Sequence, residues 1–259
     1  MPAASHLDSR VDRGAEVGPG PGWELGDSVL RAVRGHHAFE GCVEQLATAI
    51  RLGVYPRGTT LPPERELAER LGVSRATLRE AMAGLRAAEF VQTTRGRGGG
   101  TVVCYRPRRP SARGARALGP RSEHLRDTLV FRRVVEPGAA YIAASRKLGV
   151  AERDLLVAAH DEVAGATDPA EHRQADSRFH LAIAAVTDSA LTVQSVTVVQ
   201  ADLHDMLSAI PVLAVNIEHS DRQHRLILGA VLASEPTRAR RVMERHCDDT
   251  AALLRGLLT

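Results

Sequence analysis

Aromatic residues are scarce in this chain: Phe, Trp and Tyr together make up 3% of 259 residues. Its cores must therefore be assembled from Leu, Val, Ile and Ala, which suits helices. No run approaches the roughly 18 apolar residues that a membrane-spanning helix needs, so no such helix and no membrane partner is expected. The first residues hold Asp8, Asp12 and Glu16 among Gly and Pro, and offer no apolar stretch for a signal peptide. Cysteine is also rare. Cys42, Cys104 and Cys247 are isolated and odd in number, which argues against a disulfide framework and a cysteine-based zinc finger. A reduced, cytoplasmic setting is expected. Acid is missing from one long stretch, since none occurs between Glu89 and Glu123 while eight arginines do.

What is present is ordinary in bulk, with 44% hydrophobic and 25% charged residues, and long enough for two domains with separate cores. The net charge of +3 conceals an asymmetry. Residues 1–122 carry 19 Lys/Arg against 12 Asp/Glu, and residues 123–259 carry 15 against 19. A basic half joined to an acidic half points to a nucleic-acid-binding module attached to something else.

Residues 61–79 locate that module. Helical spacing of Val43, Leu46, Ala47 and Ile50 predicts a first helix from Phe39 to Leu52. A second follows Pro62-Pro63, with Leu67, Ala68 and Leu71 on its inner face. Gly72 supplies a turn, and Ser74 is a good N-cap for a third helix burying Leu78, Met82 and Leu85. Phe90–Thr94 and Thr101–Val103 read as short strands around the glycine hairpin Arg95–Gly100. Three helices and such a hairpin make a winged helix-turn-helix. A phosphate-binding loop is the poorer reading of the Gly run, because it lacks a trailing Gly-Lys-Ser/Thr and the strand-to-helix context.

The expected division is an unstructured arm over 1–35, a winged helix-turn-helix over 36–104, a basic linker over 105–122 and a helical domain over 123–259. In that last part six helices are predicted, at about 123–147, 151–164, 170–187, 189–209, 214–233 and 236–258, with no credible strand. The fold class is thus mostly α, a winged helix followed by an all-α bundle of six to seven helices.

Residue chemistry fits DNA. Arg75 and Arg79 lie four apart on one face at the start of the third helix, and Arg suits both guanine edges and phosphate oxygens. Ser74 and Thr77 can hydrogen-bond bases or phosphates, and Arg65 on the preceding helix can reach the backbone. In the second half, Asp176 and His180 also stand four apart, while His224 and His246 each fall on a separate predicted helix. One carboxylate and three imidazoles suit Zn2+, with Ni2+ or Mn2+ as alternatives, better than Ca2+ or Mg2+. Spacing alone leaves their convergence open. His6, His36, His37, His124, His160, His172, His204 and His219 are expected to be ordinary core or surface residues.

The segments Leu61-Pro-Pro-Glu-Arg-Glu-Leu-Ala68, Gly72-Val-Ser-Arg-Ala-Thr-Leu-Arg-Glu-Ala81 and Gly96-Arg-Gly-Gly-Gly-Thr101 resemble the GntR-type winged-helix regulators. The helical half resembles their fatty-acid-regulator (FadR-like) branch, whose ligand domain is called FCD. The resemblance covers roughly residues 30–258. It implies that Arg65, Arg75, Arg79 and the wing around Arg97 and Gly98 contact DNA. It further implies that Asp176, His180, His224 and His246 match the Asp and three His of the metal-binding subgroup. Arg132, in Phe131-Arg-Arg-Val-Val-Glu-Pro137, resembles the head of the ligand domain. It stands either as an anchor for an effector carboxylate or as a structural partner of Glu136. Two departures are Pro63, where many relatives carry a capping Ser, and Asp188-Ser189, where relatives often have Gly-Asn.

The reading is a transcriptional regulator without enzymatic activity, a repressor by family default. It would act as a homodimer on a near-palindromic double-stranded operator, with a small organic-acid effector in a metal-containing bundle. The alternative is a metal-dependent hydrolase with a DNA-binding appendage. It lacks a general base at His-Glu-x-x-His spacing. Purely architectural DNA binding would leave the metal pattern unused.

Overall fold

The computed structural model describes residues 22–33, 38–94, 100–106, 122–208 and 214–258. After a short helix α1 (Gly22–Val29), helices α2 (Ala38–Arg51), α3 (Glu64–Leu71) and α4 (Arg75–Ala87) precede two strands, β1 (Val91–Thr93) and β2 (Thr101–Val103). Six helices follow: α5 (Ser122–Ser145), α6 (Val150–Gly165), α7 (Pro169–Ala185), α8 (Ala190–Leu207), α9 (Ala214–Leu232) and α10 (Pro236–Leu258).

The helix-turn-helix is set by local chemistry. Helix α3 ends on Gly72 at φ 64°, a left-handed value that glycine adopts without a Cβ penalty. The Val73 N–H then donates to the Ala68 carbonyl and Gly72 N–H to Glu69, closing a Schellman turn. One residue later, Ser74 Oγ accepts the Thr77 N–H at 3.0 Å and starts α4. Pro63 occupies the N-cap of α3 with no side-chain cap bond. The strands pair antiparallel in the register Val91–Val103, Gln92–Val102 and Thr93–Thr101, with Thr60 bridging to Val102. Leu46, Ile50, Leu67, Leu71, Leu78, Met82 and Leu85 are buried between the helices, as periodicity requires.

In the bundle, α5 packs most extensively against α10. It does so through a long helix that holds Pro137 in its interior. Asp168 caps α7 by accepting the N–H groups of Ala170 and Glu171, and Pro169 takes the first helical position. Ser189 caps α8 in the same manner. The buried apolar side chains are almost wholly aliphatic, with Phe179 of α7 as their aromatic centre, and a polar group that includes Arg132, Glu136, His180, His224 and His246 is buried among them.

One expectation is corrected. The arm predicted to be unstructured through residue 35 contains α1, with Leu25, Val29 and Leu30 buried. A two-turn helix is too short to hold itself together in water or to show periodicity among Gly and Pro. Packing on α7 and α8 stabilises it instead. Asp27 pairs with Arg70 of α3, Arg31 donates to the Ala190 carbonyl and to Gln194 Oε1 at 2.8 Å each, and Val33 N–H donates to the last carbonyl of α3, on Leu71. Residues 107–121 of the predicted basic linker and 95–99 of the hairpin, Arg97 and Gly98 among them, lie outside the described residues.

Candidate metal centre and nucleic-acid interface

Asp176 and His180 come from one face of α7, His224 from α9 and His246 from α10, and one ligand atom from each lies within 4.8 Å of the others. All three imidazoles are buried, and their ring centroids stand 4.8–5.5 Å apart. Spacing alone left this convergence open, and the family resemblance implied it. The fold brings the four together because α7, α9 and α10 face one another across the bundle.

Polar groups around the cluster aim ring nitrogens inward. His246 Nδ1 lies 3.0 Å from Gln223 Oε1, so its N–H is spent on the amide and Nε2 is left buried with no hydrogen-bond partner. Gln223 donates in turn to Asp249 Oδ2 at 2.6 Å. His180 Nδ1 sits 3.0 Å from Glu136 Oε2, and His224 Nε2 sits 3.4 Å from Asp176 Oδ1. For His246 and His180 the group facing the far nitrogen, an amide and a carboxylate, lies outside the ligand set, the usual support of a metal-ligating histidine. Burial drives the His224 imidazole down to about 3 and that of His246 well below its ordinary range. Both are therefore neutral at pH 7, the form that coordinates metal.

Glu136 is the hub behind the cluster. It accepts from Arg132 Nε at 3.0 Å and from Gln200 Nε2 at 2.6 Å, with the Cys247 thiol at 3.7 Å. Burial alone would raise its carboxyl, but Arg132 and His180 hold it well below the usual carboxylate range. The ion pair with Glu136 is thus present. Arg132 nonetheless keeps one terminal nitrogen, NH1, buried without a hydrogen-bond partner, and its side chain lines a cavity of about 170 Å³. Asp176, His172, Ser220, Gln223 and His246 line the same cavity, with Ile217 and Leu253 as apolar walls. A guanidinium with a spare donor beside the uncharged His246 imidazole can take up a small anion.

Sequence reasoning missed several groups here. Gln223, Asp249 and Gln200 sit on no motif spacing. His172 and His219, expected as ordinary residues, bond Asp221 at 3.1 Å and Asp249 at 2.9 Å at the cavity wall. Asp188 takes a left-handed φ of 58°, which glycine would favour, and its side chain is exposed.

On the other half of the chain, Arg75 and Arg79 project into solvent from the first turns of α4, and neither forms an ion pair among the described residues. Arg65 pairs with Glu69 at 2.9 Å, both side chains being exposed. Such a surface pair contributes little and exchanges readily for phosphate. Ser74 and Thr77 are 2.9 Å apart through their hydroxyls, so Ser74 serves the cap first.

The sequence matches the family described as "Bacterial regulatory proteins, gntR family" over residues 40–103 and the "FCD domain" over residues 127–249. It is 30% identical over 224 residues to the "Glc operon transcriptional activator" of Escherichia coli K12, covering 80% of this chain and 85% of that protein. It is 32% identical over 216 residues to the "Uncharacterized HTH-type transcriptional regulator Rv0494" of Mycobacterium tuberculosis, covering 80% and 85%. Among solved structures, McbR/YncC of E. coli superposes with a TM-score of 0.53 at 16% identity, over 87% of this chain and 100% of that one.

Proposed function

The chain belongs to the GntR family of bacterial regulatory proteins, with an FCD domain as its second half, and from that premise we propose a metal-dependent sensor of a small organic acid. It is a transcriptional regulator whose partner is DNA, and its relatives are regulators rather than enzymes. The hydrolase alternative has no support among them.

The finer reading is ours. Residues 36–104 read DNA and residues 123–259 sense the effector. Two copies of the chain, acting in the cytoplasm, present two α4 helices to a near-palindromic operator. Arg75 and Arg79 meet bases, while Arg65, Ser74, Thr77, Arg97 and Gly98 meet the backbone. Asp176, His180, His224 and His246 would hold one divalent transition ion, Zn2+ first and Ni2+ or Mn2+ as alternatives. When bound, the ion supplies a Lewis-acidic position for a carboxylate oxygen. Arg132 NH1 supplies the second point of attachment, and the small cavity restricts the effector to a few carbon atoms. Repression is the proposed sign of action, while one relative bears the name of an activator.

The single observation behind this reading is that the four ligand atoms lie within 4.8 Å of one another beside the unpartnered nitrogen of Arg132. Elemental analysis of protein purified without chelator, followed by a thermal-shift survey of small carboxylic acids on the Zn2+-loaded chain, tests it. One equivalent of metal per chain and stabilisation by a short-chain acid are expected. Absence of any transition metal, before and after reconstitution, would overturn the sensor reading.

A further inference from the structure

Helix α7 carries two pairs of side chains at the same spacing. Asp176 and His180 form one pair, and Gln174 and Arg178 form the other. A displacement of two residues on a helix is a rotation of about 200°, so the pairs lie on opposite sides of one rod. The first faces the imidazoles of α9 and α10. The second grips the DNA-binding half. Gln174 Nε2 donates to the carbonyls of Ile50 at 3.3 Å and Arg51 at 2.9 Å, and Arg178 NH1 donates to the Gly53 carbonyl at 3.2 Å.

These carbonyls are not arbitrary surface. They belong to the last turn of α2 and the glycine that ends it, where helix geometry leaves acceptors without an intrahelical partner. Gly53 has φ 73° and closes a Schellman turn with Gly53 N–H on the Ile50 carbonyl and Val54 N–H on the Ala49 carbonyl. The approach is close enough that a Cβ at Gly53 would collide with the Arg178 guanidinium and come within 2.9 Å of the Gln174 Cβ. Arg178 is itself steadied by Glu162, which accepts from its Nε at 2.6 Å. The Arg51 side chain pairs in addition with Asp205 of α8.

Helix α2 packs against α4, and Phe39 and Val43 of α2 sit over Gly84 of α4. A continuous path of contacts therefore runs from the ligand cluster, through the thickness of α7 and the main-chain acceptors of α2, to the helix that carries Arg75 and Arg79. We propose that Gln174 and Arg178 are positioning residues that couple occupancy of the metal–effector site to the setting of the recognition helix. The inference rests on the metal reading above. Restraint of α7 against α9 and α10 moves both gripping side chains as one body. Because their partners are the end carbonyls of α2, the winged helix follows. A ligand alters DNA binding only by favouring one such setting over another.

Hydrogen–deuterium exchange on the full chain tests this, comparing protein stripped with a chelator and the same protein given Zn2+ alone. The variants are Gln174→Met, which keeps the volume and loses the amide, and Arg178→Lys, which keeps the charge beside Glu162. In the parent chain, Zn2+ is expected to slow exchange in α7, α9 and α10, and also in residues 46–54 by a factor on the order of 5 or more. Each variant should retain the slowing in the three ligand helices and lose it in residues 46–54. Slowing confined to the bundle of the parent chain, or retained at residues 46–54 in both variants, overturns the coupling and leaves the metal site standing. No slowing in any ligand helix refutes the metal reading, and this inference falls with it.

Discussion

His180 presents Nδ1 to Oε2 of Glu136 at 3.0 Å, with both side chains almost completely withdrawn from solvent. The same carboxylate holds Arg132 and Gln200, so one group orients an imidazole and neutralises a buried guanidinium. Glu136→Gln should keep the fold and weaken Zn2+ binding by about 10–100-fold, as loss of an orienting partner does. Competition against a chromogenic chelator reads this directly. Glu136→Ala should cost more, about 3–5 kcal/mol of stability, because it removes the acceptor oxygens for Arg132 and Gln200 together with the charge. Equal Zn2+ affinity in Glu136→Gln would show that the carboxylate does not support the ligand.

Arg75 is exposed at the head of α4 and engages no acid among the described residues. Arg75→Ala should therefore leave the melting temperature unchanged while reducing affinity for a selected operator by about 1–3 kcal/mol. Fluorescence anisotropy on operator and on scrambled DNA separates loss of specific binding from loss of general attraction. Unchanged discrimination between the two would exclude Arg75 from base contact.

The His204 imidazole is pushed by burial, and then by the nearby charge of Arg51, down to about 4. It stays neutral in the fold but gains a proton near 6.5 when the chain unfolds. Between those values the unfolded chain binds more protons, so stability falls as pH drops from about 6.5 to 4 and levels off below. The full window amounts to roughly 3 kcal/mol. Denaturant titrations of metal-stripped protein at several pH values should show this contribution on top of those of His224 and His246, and His204→Leu should remove about that amount. An identical slope in the variant would mean that His204 does not carry it.

Glu89 ends α4 at φ 60°, where a side chain is strained, and its own side chain is exposed. Glu89→Gly should raise stability by about 0.5–1 kcal/mol, the relief of strain exceeding the entropy that glycine adds to the unfolded chain. Thermal or chemical unfolding measures it. A fall in stability would show that Glu89 makes a contact worth more than its strain.

What could be read from the sequence was whatever is decided within a few neighbouring residues. Gly72 and Ser74 mark the turn and cap of the helix-turn-helix because a left-handed residue and a hydroxyl acceptor act on their own backbone. The six bundle helices are visible because long apolar stripes repeat at 3.6 residues. Asp176 and His180 share a face for the same reason, but their meeting with His224 and His246 depends on how α7, α9 and α10 pack. The supporting groups stayed hidden: Gln223 and Asp249 act through distance in space, with no spacing to announce them. Gln174 was invisible for a related reason, since its partners are main-chain carbonyls that carry no residue identity. Helix α1 was missed because two turns held by tertiary contact look like linker.

A Cβ at Gly72 would stand 3.1 Å from the methyl group of Ala32, and the adjoining Val33 N–H bonds the Leu71 carbonyl. Two positions far apart in the chain thus draw on one small volume at the turn of the helix-turn-helix. A side chain added at residue 72 must press on Ala32 as well as bear the strain of its φ. Any change that lifts Ala32 away also withdraws the Val33 bond from the end of α3. In a mutational survey residue 72 would be limited twice over, by its left-handed φ and by Ala32, so trimming Ala32 alone would not free it.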